Sequence, residues 1–335
     1  GLLAWLGLAA FVRETPTDRT RRFDLFGFAL LSVALGAFQM MLDRGQSLDW
    51  FHSREVVMEA VLAGAAFYLF LSHTFTSDQP FIEPRLFRDR NFNVGLVFIF
   101  MVGVVLLATM ALLPPFMQDL MGYPVVDVGL VLAPRGVGTM IAMIAVGQLS
   151  RRVDARYQIT FGLLLTAFSL WEMTHFTAGI SGWDIVHTGV VQGLGLGFIF
   201  VPLTTISFST LPAHDRNEGA ALFSLMRNIG SSIGISVVIS YLAQRMQANH
   251  AALAGFITPT NVALRHAAQA GVYHLSSPAG IAALNAEVSR QAATLAYLQD
   301  FRMMMWITLA SLPLIVLLRT PERNPARTEL HPATH

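Results

Sequence analysis

The chain has 335 residues, of which 54% are hydrophobic and only 13% are charged. An ordinary soluble domain has about 25% charged residues, and a chain of this length could not hide so much apolar surface from water. The net charge of +1 gives no bulk attraction to nucleic acid, and the lack of cysteine excludes disulfides, thiol nucleophiles and cysteine-bound metals. This composition predicts a protein that is solvated by membrane lipid.

The first residues form an apolar run that begins at Gly1 without a methionine and reaches Val12. The run is too short to cross a bilayer, which takes about 20 residues. It also lacks the charged start and small-residue cleavage site of a signal peptide. We therefore predict that residues 1–12 are the end of a truncated membrane helix, and that residues 13–24 are a cytoplasmic linker.

Eight further apolar segments have roughly the length of a membrane span. Lipid offers no partner to backbone groups, so only helices or a closed barrel can cross it. Continuous apolar runs, rather than ten-residue alternation, favour helices. The sequence thus predicts an all-α, polytopic membrane protein. The predicted spans are Leu25–Leu42, Glu55–Phe75, Asn93–Met117, Val128–Leu149, Gln158–His175, Asp184–Phe208, Gly219–Ala243 and Phe301–Leu318.

Arginine-rich and arginine-poor loops alternate along these spans, which predicts a cytoplasmic first linker and a cytoplasmic C-terminal tail. The long segment 244–300 is then extracytoplasmic, because long loops cross the membrane largely regardless of their charge. In its second half, Ile281, Leu284, Val288 and Leu295 lie close to helical spacing. They predict an amphipathic helix that leads into the last span.

Several segments of the chain carry a recognisable pattern. They are MLDRGQSLDWF at 41–51, PFIE at 80–83, LFRDRNF at 86–92, LAPRGVG at 132–138, GLGLG at 193–197, PLTT at 202–205 and RNIGSSIG at 227–234. Together they resemble the EmrB-like drug:proton antiporters, the fourteen-helix branch of the major facilitator superfamily. The resemblance covers essentially the whole chain.

The resemblance implies how the domains are arranged. The family has six N-terminal helices, two central helices and six C-terminal helices, so a partial helix and eight spans match the end of helix six through helix fourteen. The major facilitator fold is then incomplete, and the N-terminal bundle, with the carboxylates usually linked to proton coupling, is expected to be absent. The expected units are two central helices at 25–75, a cytoplasmic linker at 76–92, a six-helix bundle at 93–319 and a cytoplasmic tail at 320–335.

The resemblance also implies an activity: secondary active, proton-coupled export of small amphipathic toxic compounds from the bacterial inner membrane, by alternating access. Such a protein is not an enzyme and needs no cofactor. Its partners would be lipid, substrate and protons and, in a Gram-negative source, a periplasmic adaptor protein and an outer-membrane channel. A non-transporting scaffold or sensor, or a decayed half-transporter, remains the alternative, because half a transporter cannot alternate access alone.

Arg135 is the first candidate on the substrate or proton pathway. It lies within a predicted span, directly after Pro134 and before Gly136. A guanidinium in lipid is costly, and proline removes a helix hydrogen bond, so a broken helix beside the pathway is one interpretation. A structural arginine between helices is the other. Gln192, polar and in the middle of a span, is a second candidate for lining a cavity.

Arg227 and Asn228 lie about a third of the way into their span. They could form a gating ion pair or a proton relay, or Arg227 could clamp a loop acid such as Asp215 or Glu218.

Acid and imidazole groups recur near the extracytoplasmic ends of two spans. Glu172 and His175 are three residues apart, as are Asp184 and His187. Such pairs exchange protons near neutral pH and could form an exit vestibule for protons or substrate. Ordinary interfacial polarity is the favoured interpretation, because these sites lie near water. Their spacing is not a metal signature, and no nucleophile motif accompanies them, so we predict neither a metal site nor catalytic residues.

The remaining candidates concern packing and gating. Small residues let membrane helices touch, which explains the glycine rows better than a dinucleotide loop would. The segment 147–156 resembles a degenerate copy of the superfamily's cytoplasmic loop motif, and the resemblance implies a gate held by charge pairs. The positive-inside distribution of arginines is the other interpretation, and both can hold. The packing and hinge candidates are Pro134, Gly136, Gly193, Gly197, Gly230 and Gly234, and the gate-loop candidates are Arg151, Arg152 and Asp154.

Overall fold

A computed structural model describes residues 7, 23–150, 152–258, 261–262, 266 and 277–319. The predicted truncated helix at 1–12, most of the first linker, Arg151 and the tail at 320–335 lie outside this part, apart from Gly7. Within it, nine α-helices follow one another. They are α1 (Leu25–Gly45), α2 (Arg54–Thr76), α3 (Arg90–Pro115), α4 (Val125–Leu132), α5 (Pro134–Leu149), α6 (Ala155–Met173), α7 (Gly182–Ser209), α8 (Arg216–Ala254) and α9 (Pro278–Ala310).

Every predicted span coincides with helical structure, so the all-α membrane class is confirmed. Seven stretches are long and apolar enough to cross a membrane, with α4 and α5 counted as one at Val125–Leu149. The helix α6 has 19 residues but does not reach the same apolarity. Arg156, Gln158 and Glu172 explain this, because they place three strongly polar side chains in a helix of that length.

The structure corrects the ends of several elements. The helix α8 continues past the predicted end at Ala243 to Ala254, because the polar residues that follow are helix formers and the first glycine comes at 255. The predicted amphipathic helix and the last span form one helix, α9. That helix ends at Ala310 and gives way to a 3₁₀ turn, Leu312–Leu317, at Pro313, which has no N–H to donate.

With α4 and α5 taken as one span, successive spans run alternately up and down, so the molecule has two ends. The linker end carries the 3₁₀ turns Pro84–Arg88 and Ala213–Asp215. The arm end carries the last part of α8 and the first part of α9, which together we call the arm. Asn249 Nδ2 of α8 donates to the Ala292 carbonyl of α9 at 3.3 Å. Helices α3 to α9 form one bundle, and the α1–α2 hairpin packs on α8.

At the linker end, two acids, buried Asp215 and partly buried Glu218, tie the linker to the bundle. Asp215 accepts from Arg85 Nη2 at 2.7 Å, and Glu218 accepts from the backbone N–H of Glu83. Asp215 is 3% exposed, so water hardly reaches the carboxylate of this ion pair. Of the alternatives for Arg227, the clamp to one of these acids is not formed, because both acids bind linker residues and Arg227 donates to Ser224.

Glycines bring helix backbones into direct contact. A Cβ on Gly230 would overlap the carbonyl oxygen of Phe100, and one on Gly234 would lie 2.6 Å from that of Val104. Both contacts join α8 to α3. Gly193 and Gly197 likewise approach the backbone of α5, whereas Gly136 faces open space and makes no such contact.

We expect Gly234→Ala to destabilise the bundle by about 1–3 kcal/mol, because its methyl group would force α8 away from α3. Gly36→Ala is the matched control, because that helical glycine has no atom within 4 Å of a Cβ. It should be neutral or stabilising by up to about 1 kcal/mol. Thermal unfolding in detergent measures both; equal effects would contradict the packing role.

Asp24 ties the start of α1 to α2 and the linker. Its carboxylate accepts from the Gly27 and Phe81 amides, each at 2.9 Å, and from His73 Nε2 at 3.0 Å. Burial alone would raise the pKa of this carboxyl, but the hydrogen bonds from Gly27, His73 and Phe81 and the charge of His73 outweigh it. The net pKa lies below 3.8.

Because the folded-state pKa is depressed, the stabilisation by Asp24 is present above its unfolded value and is lost as pH falls through its folded value. We expect Asp24→Asn to unfold at a lower temperature than the wild type at neutral pH. The difference should shrink only below about pH 4. Asp49→Asn, at a side chain 87% exposed, is the control and should show little difference at any pH. A gap that persists unchanged in acid would contradict the assignment.

Candidate functional site in the bundle interior

Arg135 lies on the first turn of α5 and is 9% exposed. Its carbonyl accepts from Thr139 Oγ1 at 3.1 Å, and Gly193 of α7 lies so close that a Cβ there would overlap it. The Nη2 atom of its guanidinium is buried and has no hydrogen-bond partner in the described part of the chain. The close approach of α7 thus holds the backbone, while the charged end keeps an unused donor.

The expected break beside Arg135 is small. Ala133, between α4 and α5, keeps helical dihedrals of φ −58° and ψ −38°. It accepts from the Gly136 N–H at 3.0 Å, which tightens the chain into a single 3₁₀-like turn. Pro134 therefore interrupts the hydrogen-bond ladder without bending the backbone out of a helical path.

Gln192 is fully buried inside the bundle rather than facing an open cavity. Its Nε2 lies 3.4 Å from Thr109 Oγ1, and Thr109 in turn donates to the Val105 carbonyl at 2.7 Å. Thr109 also lies 3.8 Å from the sulfur of Met304. Gln192 Oε1 has no partner among the described residues. The side chain thus joins α7, α3 and α9 while leaving one acceptor unused.

Asp300 is a buried acid that the sequence analysis missed. It lies on α9 one helical turn before Met304, is 0% exposed, and neither carboxyl oxygen has a hydrogen-bond partner within the described residues. The sequence alone puts it at the end of the extracytoplasmic segment 244–300, because the apolar run starts one residue later. The helical face it shares with Met304 and Thr308 was the signal that could have found it.

A small apolar cavity lies between α3, α6, α7 and the end of α9, on the linker side of Gln192. Phe98 and Met101 line it, together with Thr166 and Thr308. Exposed methionines such as Met140 lie on the outer surface instead.

Arg227 and Asn228 lie on the surface of α8 beside the hairpin. Arg227 is half-buried and donates to Ser224 Oγ at 3.4 Å, and Asn228 is exposed. One turn further, Ser232 donates to the carbonyl oxygen of the Gln39 side chain of α1. The pair therefore lies at the edge of the contact between the hairpin and the bundle.

The acids and histidines at the arm end pair differently from their sequence spacing. His187 Nδ1 lies 3.6 Å from Glu172 Oε2, which joins α7 to α6. His175 turns back to the Trp171 carbonyl at 3.0 Å, and Asp184 forms a capping box with Ser181 at the start of α7. One cross-helix pair therefore replaces the two i, i+3 pairs.

The gate-loop candidates that the structure describes have local roles. Asp154 caps α6 by accepting from the Arg156 N–H at 2.9 Å. The N–H of Arg152 donates to the Leu149 carbonyl at 2.9 Å. In the described residues, no group of three histidine or acidic side chains is arranged to hold a metal.

The helices and their buried polar side chains define a polytopic membrane protein. The chain belongs to the Major Facilitator Superfamily, whose model matches residues 2–235. It is 33% identical over 250 residues to multidrug export protein EmrB of Escherichia coli, a match that covers 74% of this chain and 49% of that protein. These matches confirm the EmrB-like resemblance.

Two further relatives agree. Fatty acid resistance protein FarB of Neisseria gonorrhoeae is 32% identical over 78% of this chain and 52% of its own length. Probable multidrug resistance protein EmrY of Escherichia coli is 29% identical over 87% of this chain and 57% of its own length. The chain thus spans about half the length of the curated relatives it matches, and it is a multi-pass protein of the bacterial inner membrane type.

We expect Gln192→Leu to change the free energy of unfolding by less than about 1 kcal/mol, because it removes an unused acceptor and leaves Thr109 bonded to Val105. Gln158→Leu is the matched control, since buried Gln158 donates to the Val153 carbonyl at 2.9 Å. Its loss should cost about 1–3 kcal/mol. If thermal unfolding shows equal losses in the two variants, Gln192 is a structural anchor rather than a site residue.

Proposed function

We propose that the intact protein exports small amphipathic toxic compounds in exchange for protons, by alternating access. Family membership and the multidrug relatives support this activity. The observation in the chain itself is Arg135, a buried cation on a membrane helix with an unused donor. A purely structural arginine in lipid would be expected to have its donors paired, because leaving them unpaired costs stability without return.

We further propose that the linker end faces the cytoplasm. The described arginines of the loops gather at this end, whereas the opposite end has fewer in its short loops. Cytoplasmic loops are enriched in arginine and lysine, so this distribution supports the orientation. The linker-end arginines are Arg85, Arg88, Arg90, Arg152, Arg156, Arg216 and Arg319.

In this proposal the C-terminal bundle supplies differential affinity. The Arg135 carbonyl lies against Gly193 of α7, the residue that follows Gln192. Arg135 and Gln192 each keep a polar atom without a partner in the described residues. A bound compound or a proton that uses these atoms in one state and not in the other shifts the balance between inward-facing and outward-facing forms. Glu172 and His187 would line the exit vestibule for substrate at the extracytoplasmic end, and Arg227 with Asn228 would move with the hairpin.

We also propose that the arm docks a periplasmic adaptor protein. The helix α8 has 39 residues, which is about 58 Å at 1.5 Å per residue, against a hydrocarbon core of about 30 Å. Its far end pairs with α9, where His250 bonds to Asn285 at 3.1 Å. This paired projection extends well beyond the membrane.

Deleting residues 249–287 should abolish co-purification with the adaptor while leaving the chain in the membrane. His250→Ala with Asn285→Ala is a milder variant that removes one bond between the two helices. If the adaptor still co-purifies with the deletion at wild-type yield, the arm is not its docking surface.

We expect the complete open reading frame that contains this chain to lower ethidium accumulation and raise drug resistance in an efflux-deficient bacterium. Arg135→Met should abolish both effects at unchanged expression, because it keeps the volume but removes the cation. Met140→Leu, at an exposed side chain on the same helix, is the control and should behave as wild type. Unchanged export by Arg135→Met would refute the assignment, and no export by the wild type would favour a scaffold or sensor.

A further inference from the structure

Asp300 lies in apolar surroundings at the arm end of the bundle. Phe116 packs against Phe301 with ring centroids 6.3 Å apart and against Tyr297 at 5.4 Å. Phe176 closes the cluster at 6.2 Å from Phe301. Asp300 directly precedes Phe301, a member of this aromatic cluster, and is itself 0% exposed.

Nothing in the described residues stabilises the ionised form of Asp300. A carboxylate accepts hydrogen bonds with both oxygens, yet neither oxygen of Asp300 has a donor among the described residues. Burying an ion without partners costs far more than burying the neutral acid. Packing does not require an acid at this position either, since a leucine would fill the space without leaving polar atoms unpaired.

A route for protons leads from Asp300 towards water. Tyr297 is one turn earlier on the same face of α9, and its phenol lies within electrostatic range of both Asp300 and Asp119. Asp119 is exposed, on the π-helical turn Phe116–Leu120 that packs against α9. The three side chains thus run from the surface to the buried acid.

We propose that Asp300 is a proton-binding site of the C-terminal bundle, loaded from the arm end through Asp119 and Tyr297. Asp119 takes a proton from bulk water and passes it through a water molecule to the phenol oxygen of Tyr297. The phenol gives its own proton through a second water molecule to Asp300, whose oxygens have no donor within hydrogen-bond distance among the described residues. No electrons move, and each oxygen ends with its starting complement of bonds except Asp300, which gains one proton. The proposed orientation makes this the side from which a proton gradient drives entry.

Other titratable groups at this end face elsewhere. On α6, Glu172 pairs with His187 and His175 bonds to Trp171. On α8, Arg245 lies over the ring of Tyr241. Arg302 of α9 shares an outer cavity with Tyr241, away from the face of Asp300. None of these groups lies on the described route, so we assign proton uptake at this end to Asp300.

The test is infrared spectroscopy of the purified chain, which does not require transport. A protonated-carboxyl band should be present at neutral pH in the wild type, absent in Asp300→Asn and retained in Asp49→Asn. Asp300→Leu should fold at least as stably as the wild type. The proposal is overturned if the wild type has no band that Asp300→Asn removes.

The route is tested by moving the wild type into heavy water, where the band shifts as the acid exchanges its proton. Tyr297→Phe and Asp119→Asn should each slow this shift by about tenfold or more, whereas Tyr241→Phe should not. Both variants keep Asp300, so they report even if Asp300→Asn fails to fold. Equal rates in all four proteins would overturn the route.

Only the direction of proton flow rests on the proposed function. A chain that exports no ethidium but shows the Asp300 band would refute export and leave the proton site standing. A chain that exports ethidium without the band would do the reverse.

Discussion

Lipid offers no hydrogen-bond partner to a buried polar group, and this constraint decides how the bundle is built. Many of its small polar side chains donate to helix carbonyls: Thr166 donates to the Gly162 carbonyl of its own helix at 2.9 Å, and Ser169 donates to the Thr188 carbonyl of α7 at 2.8 Å. Glycines then let the backbones of neighbouring helices come into direct contact.

Arg135, Gln192 and Asp300 are among the side chains that depart from this pattern. Each is buried on a helix of the bundle and keeps at least one polar atom without a partner in the described structure. Such atoms cost stability, and a protein retains them where they bind or move something. Arg135 offers a hydrogen-bond donor, Gln192 an acceptor and Asp300 a site for a proton, which suits the proposed exchange of amphipathic compounds for protons.

The sequence predicted the class and the positions of the membrane helices well, because long apolar runs without breakers leave little choice in lipid. The sequence misplaced the helix boundaries near Ala243 and Asp300, where the apolar run stops or starts but the helix continues. Apolarity reports the stretch that lies in lipid, whereas helix-forming residues extend the helix beyond it. The sequence identified Arg135 and Gln192 by their polarity within apolar runs. The sequence could not show that Asp215 pairs with Arg85 rather than with Arg227. That choice depends on how the linker folds against α8, which local sequence does not determine.

The glycine rows show the same limit. Their spacing indicated close contact, and Gly193, Gly197, Gly230 and Gly234 all lie against the backbone of a neighbouring helix. Gly136 has the same local pattern but faces open space. Which side of a helix meets a partner depends on the packing of the whole bundle, which a single segment does not encode.

The central claim is that the buried polar side chains couple protons to export. The most direct measurement is the lumenal pH of liposomes that contain the complete protein and a trapped pH-sensitive dye. Adding ethidium outside, without an imposed gradient, should drive protons out and raise the lumenal pH, and Arg135→Met should abolish the rise while Met140→Leu preserves it. A wild type that produces no change of pH, or an Arg135→Met variant that produces the same change, would contradict the account.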